Sequence, residues 1–132
     1  MIKRNATYNR IGKRLIQNLE ELEHIRDSLC RVVFLASDES KVKNRKVVYG
    51  ECIRVQKNYE WCCPYDFMIV IYEPNCFDFT RKQIEILIEH ELHHIGIDDD
   101  GNEPSFYIVP HDVEEFWDLI KKYGIDWSVT DA

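Results

Sequence analysis

Residues 83–97 carry an apolar stripe at helical spacing, and inside that stripe lies His90-Glu91-Leu92-His93-His94. Ile84, Leu87, Ile88, Leu92 and Ile95 recur at steps of three and four, which predicts an amphipathic helix with one face in a core. Thr80 with Gln83 reads as a capping box at its start, and Gly96 stands where such a helix ends. Four residues make slightly more than one turn, so His90 and His94 leave the helix about 40° apart around its axis. The chain must therefore bury one side of this helix and present two imidazoles together on another.

Two imidazoles so placed can reach one tetrahedral cation at roughly 2.0–2.1 Å. Glu91 follows the first of them and can touch an activated water without binding the metal itself. His-Glu-x-x-His is thus the minimal apparatus of a zinc hydrolase. The plainer reading is an amphipathic helix with solvated histidines on its polar face; the stripe and caps favour the metal site. At about 100° per residue, His93 points away from the stripe and reads as a solvent-facing or substrate-rim histidine.

A catalytic zinc usually takes three protein ligands and leaves the fourth position open. His24 lies among charged residues of an earlier helix and reads as a surface histidine. His111 is the preferred third ligand, at the start of a final helix that a loop after His94 can bring back across the metal. Glu114 competes with it, as a carboxylate from a second helix. Asp112, Glu115 or whichever of His111 and Glu114 is not a ligand can orient the ligands from behind. These acids also suit a helix N-terminus. Cys62 and Cys63 are adjacent and no Cys-x-x-Cys pair exists, so a thiolate metal site is disfavoured.

For 132 residues one domain is expected, with residues 1–7 and 128–132 as loose termini. Apolar residues make up 45%, enough for a real core and against disorder. No run approaches the ~20 apolar residues of a membrane span, and Met1 to Asn5 are not followed by the apolar run of a signal peptide. Five cysteines without a scaffold rhythm then suggest reduced thiols in a cytoplasm. The net charge of −7 argues against broad binding to nucleic-acid backbones. A basic patch at residues 41–46 reads as a solvated loop.

Along the chain, residues 8–29 predict one amphipathic helix through Ile11, Leu15, Leu19, Leu22 and Ile25. The Glu20-Glu21-Glu23 cluster near its end opposes the helix dipole, so packing must hold it. Strands are expected at 31–35, 47–55 with Gly50 as a bulge, 67–72 and 106–109. Residues 37–46 and 58–64 read as loops. A last helix over 111–123 would turn Val113, Phe116, Leu119 and Ile120 inward, with Gly124 ending it and Trp127 packing the tail. The order of elements makes an α+β layer.

Asp66-Phe67 leading into a strand, the His-Glu-Leu-His-His helix, the acidic Asp-Gly loop and Pro110-His111-Asp112 with the following Val-Glu-Glu-Phe resemble the putative phage metallopeptidase family over roughly residues 32–127. That resemblance implies a zincin-like group, a phage or prophage origin and a bacterial host cytoplasm. Its metal-binding motif maps onto His90, Glu91 and His94, and its downstream His-Asp motif onto His111 and Asp112.

The expected protein is a small zincin-like α+β domain. It has an N-terminal helix, a three- to four-stranded mostly antiparallel sheet, the motif helix and a C-terminal helix. One Zn²⁺ ion sits on His90, His94 and His111, and Glu91 is the general base in the hydrolysis of a peptide or protein substrate. The strand at 67–72 is expected to be the edge on which substrate pairs, and Tyr107 to contact the oxyanion. The rival is a metal-stabilised phage protein that binds and inhibits or recruits a host factor without catalysis.

Overall fold

The run Phe67-Met68-Ile69-Val70-Ile71-Tyr72 is apolar on both parities, so it is satisfied only by a strand covered on two faces. The computed structural model, which describes residues 1–98, 104–112 and 116–127, places this run inside a sheet. The elements are β1 (Ile2–Arg4), α1 (Ala6–Asn18), α2 (Glu23–Asp27), β2 (Val32–Ser37), β3 (Val42–Lys43), β4 (Lys46–Val47), β5 (Gly50–Arg54), β6 (Phe67–Tyr72), α3 (Arg81–Leu92), β7 (Ile95–Asp98), β8 (Ser105–Ile108) and α4 (Trp117–Tyr123). The main sheet has the order β1-β2-β6-β5; β2 and β6 run parallel, and the two outer pairings are antiparallel. β3–β4 and β7–β8 form separate two-stranded hairpins. The fold is α+β with a mixed sheet.

α1 and α3 pack on the sheet face formed by Val32 and Phe34 of β2, Phe67, Ile69 and Ile71 of β6, and Cys52 of β5. Ile88, Leu92 and Ile95, three members of the motif stripe, complete this core with almost no exposure. Gly12 of α1 belongs to the same contact: a Cβ there would fall 2.1 Å from the buried Phe34 ring. On the opposite face Val33, Val70 and Tyr72 are buried as well, so β6 is interior on both sides.

Several expected boundaries shift for identifiable reasons. β6 is not an edge; the edge beside the motif helix is β5. Gly50 is no bulge, since the β5–β6 register is unbroken through it. Residues 2–4 are not loose but form edge strand β1, and Asn5 then caps α1 by accepting the Tyr8 amide at 2.9 Å. The single helix expected over 8–29 breaks at Leu19, which is extended. The acids that would oppose one long dipole now occupy the first turns of the segments starting at Glu20 and Glu23, where negative charge is favourable. The loop expected at 37–46 contains most of the β3–β4 hairpin, turned by Asn44 and Arg45, both at positive φ.

The C-terminal part departs furthest. α4 starts at Trp117 and not at His111, none of its residues is buried, and Phe116, Leu119 and Trp127 are exposed. Seven residues provide fewer than two turns, too little for the inward stripe expected. Val113, a member of that stripe, lies outside the described residues, as does the expected loose tail at 128–132.

Candidate metal centre

α3 starts as its sequence dictates: Thr80 Oγ1 accepts the Gln83 amide at 3.2 Å, and Gln83 Oε1 accepts the Thr80 amide at 2.7 Å. It ends earlier than its stripe suggests, at Leu92, with His93 as the C-cap. Ile95-Gly96-Ile97 leaves the helix to become β7, and Gly96 therefore does not terminate α3. It pairs with Tyr107 across the β7–β8 hairpin, where a Cβ would meet the Tyr107 ring at 2.4 Å. Ile95 satisfies either geometry because it is buried in both, which is why periodicity overran the helix end.

The motif is consequently split between elements. His90 and Glu91 stand on the last turn of α3, while His94 occupies the tight turn after it, its amide bonded to the Glu91 carbonyl at 3.1 Å. The hairpin that follows returns the chain to its starting point: Ile95 faces Ile108, and the Val109 amide donates to the His94 carbonyl at 2.7 Å. Two residues further on, His111 arrives beside His90 and His94. Antiparallel pairing of β7 with β8, and not a returning helix, thus delivers the third imidazole.

The three rings lie close together. Centroid separations are 5.1 Å for His90–His94, 5.0 Å for His90–His111 and 4.5 Å for His94–His111. One nitrogen from each ring lies within 4.8 Å of the others, and His90 and His111 bring their Nε2 atoms to 3.1 Å. Ligand nitrogens around a tetrahedral ion at ~2.05 Å sit about 3.3 Å apart, so small ring rotations complete the triangle. His94 Nδ1–H donates to the Val109 carbonyl at 2.6 Å, which leaves Nε2 free to ligate. Burial, and next the neighbouring imidazoles of His94 and His111, hold His90 below its ordinary pKa. That keeps it neutral, as a ligand must be. By the chemistry of its donors the cluster fits a metal ion.

Glu91 lies beside this triangle and is only 5% exposed. Burial pushes its carboxyl up to about 7, with the charge of Glu51 adding to the rise and His94 opposing it. The wall facing it is Gly50 of β5, where a Cβ would meet Val70 O at 3.2 Å, Ile71 Cδ1 at 3.3 Å and Glu91 Cγ at 3.5 Å. Two cavities meet at this wall and share Val48, Gly50, His90 and Glu91. One, of about 510 Å³, is apolar, with Tyr49, Phe79, Ile86 and Leu87. The other, of about 420 Å³, holds His94, His111, Ile108, Cys52, Glu51, Lys41 and Lys43.

The remaining expected residues fall elsewhere. Tyr107 covers Gly96 and does not line either cavity; strand alternation sends Ile108 to the site instead. His24 is not a surface histidine: it is half-buried and its Nε2 bonds the Ile95 carbonyl at 2.9 Å, tying α2 to β7. His93 is exposed. Asp112 is exposed beside His111, and Glu114 and Glu115 lie outside the described residues. All five cysteines are free thiols. Cys52, near the site, is pushed up to about 12 by burial and then by Glu91. Sequence reading missed Gly50, Glu51, Lys41, Lys43 and the Val109 carbonyl. The basic patch at residues 41–46, read as a solvated loop, was the trace of the two lysines, and a backbone carbonyl has no sequence signal.

Fold and site together define an α+β domain with a three-histidine centre suited to a metal ion. The chain belongs to the putative phage metallopeptidase family, whose model matches residues 1–131 and so extends the likeness to the whole N-terminal region. No curated protein and no solved structure matches it. Among the described residues no helix is long and apolar enough to cross a membrane.

Proposed function

We propose that this chain is a zinc-dependent peptidase of small zincin type, in which His90, His94 and His111 hold one Zn²⁺ and Glu91 is the general base. The observation that carries this reading is geometric: the buried Glu91 carboxyl lies on the wall of an open cavity that also holds the three imidazoles. A site whose task is only to stabilise a fold has no need of such a base. Zinc held there supplies a Lewis acid that polarises a peptide carbonyl and acidifies water.

The chain's own groups account for the rest. Glu91, buried beside the three imidazoles, takes the proton of the attacking water and delivers it to the departing amine. The Val109 carbonyl keeps His94 in the tautomer that ligates through Nε2. β5 offers substrate an edge. Tyr49 and Val55 exchange ladder bonds with β6, and the period of two leaves the main-chain groups of Gly50 and Cys52 facing outward. An extended peptide pairs there and passes the three imidazoles. The apolar cavity beside His90 then receives a large apolar side chain.

Zinc-loaded wild type and Glu91→Gln, incubated with a mixed peptide library and read by mass spectrometry, test the proposal. Wild type is expected to cleave, and Glu91→Gln to keep its zinc while losing on the order of 10²–10⁴ in rate. Unchanged cleavage by Glu91→Gln would refute the assigned base.

A further inference from the structure

The β3–β4 hairpin overhangs the cavity that contains the three imidazoles, and it carries more positive charge than the fold needs. Lys41 and Lys43 line that cavity. Lys41 pairs with Glu51, which is engaged in turn. Lys43, Arg45 and Lys46 have no acidic partner among the described residues. Lys43 stands directly opposite Lys46, so the two ammonium groups share one face. Like charges directly opposed on a hairpin destabilise it unless an anion lies between them. In a chain of net charge −7, four cations, Lys41, Lys43, Arg45 and Lys46, fall within six residues.

The arm is also held firmly at its base. The Asn75 side-chain amide donates to the Lys41 carbonyl at 3.0 Å and to the Val48 carbonyl at 2.8 Å, bridging both strands. The Val48 amide donates to the Lys41 carbonyl at 3.0 Å. A rigid arm with spare cations beside a reaction centre selects its ligand by charge at little entropic cost. Among the described residues, Glu51 is the only acidic residue on that cavity wall beyond the buried Glu91, and Lys41 already answers it.

We propose that this arm reads an acidic side chain of the substrate, with Lys43 as the residue that contacts it and Lys46 reinforcing it. This rests on the peptidase reading above and names the substrate class: peptides with an Asp or Glu close to the scissile bond, on the side of the imidazoles away from the apolar cavity. Lys41, neutralised by Glu51, sets the position of the arm.

The test uses zinc-loaded Glu91→Gln protein and fluorescein-labelled peptide pairs that carry Glu or Gln at each position in turn, read by fluorescence anisotropy. At one position Glu should bind on the order of fivefold tighter than Gln, with the ratio falling as salt rises. Lys43→Gln should bring the ratio to near one and Lys43→Glu should invert it, while Lys57→Gln, the same charge change away from the cavity, should leave it intact. A ratio near one at every position, or one that survives Lys43→Gln, overturns the proposal. So does a short DNA strand that displaces the acidic peptide as well as unlabelled peptide does, because the arm would then be a phosphate binder. The same pairs given to wild type separate the two readings. Glu-selective binding without any cleavage refutes the peptidase and keeps the acidic site. Cleavage indifferent to Glu refutes the acidic site and keeps the peptidase. Neither binding nor cleavage refutes both.

Discussion

Without metal, Glu91 should make the protein less stable as pH rises. Its carboxyl goes from an ordinary value of 4.5 in the unfolded chain to about 7 in the fold. The folded state therefore binds more protons than the unfolded state between those values, and stability falls with pH across that window. At about 1.4 kcal/mol per pH unit, full expression of the shift amounts to roughly 3 kcal/mol. The stabilising contribution is complete below pH 4.5 and is lost as pH passes 7. His90 works in the opposite sense, since its lowered pKa costs stability as pH falls. The measurement is therefore a difference. Urea unfolding of wild type and Glu91→Gln in chelator, at steps from pH 4.5 to 8, gives the free energy of each from midpoint and slope. Wild type should lose about 2–3 kcal/mol relative to Glu91→Gln across that range. Parallel curves would mean that the Glu91 carboxyl is not desolvated, and the argument for its basicity would fail.

Other consequences follow from the same geometry. His111→Ala should lower zinc affinity by more than about 100-fold, read by chelator competition, because it removes one corner of the imidazole triangle. Equal zinc affinity in that variant would remove His111 from the site. Saturating zinc at 1,000 times its dissociation constant should stabilise wild type by about 4 kcal/mol, and chelator should abolish that gain in thermal unfolding. Gly12→Ala, which in an exposed helix would stabilise by up to ~1 kcal/mol, should here destabilise by about 1–3 kcal/mol, because the new methyl meets the buried Phe34 ring. Phe34→Leu in the same chain should recover part of that loss in a double-mutant cycle. Asn75→Ala should speed amide exchange at Val48 by loosening both strands of the hairpin, while amides of β6 keep their protection.

Local rules made much of this protein legible from its residues. The Thr80–Gln83 box opens α3 as read, and the apolar run 67–72 is a buried strand. Spacing placed His90 and Glu91 on the last turn of α3, and His94 stays near them through the tight turn in which its amide bonds the Glu91 carbonyl. What failed were choices made by partners distant in sequence. Ile95-Gly96-Ile97 fits a helix stripe and a strand equally, and only Tyr107 lying over Gly96 settles it as β7. Which strand becomes the edge depends on what β5 and β2 pair with, so β6 read alone could not reveal that it lies inside.

His111 shows the division most clearly. The sequence alone made a third imidazole available to the two of the motif. Its arrival beside His90 and His94 depends on the β7–β8 register, which sets Val109 against His94 and carries the chain back over the site. The same holds for Gly50 under Glu91 and for the lysines of the β3–β4 arm. The identity of a side chain fixes what chemistry it can perform. The dielectric around it and the groups it faces come from long-range packing, and these raise Glu91 to about 7 and turn one exposed hairpin into the wall of a cavity.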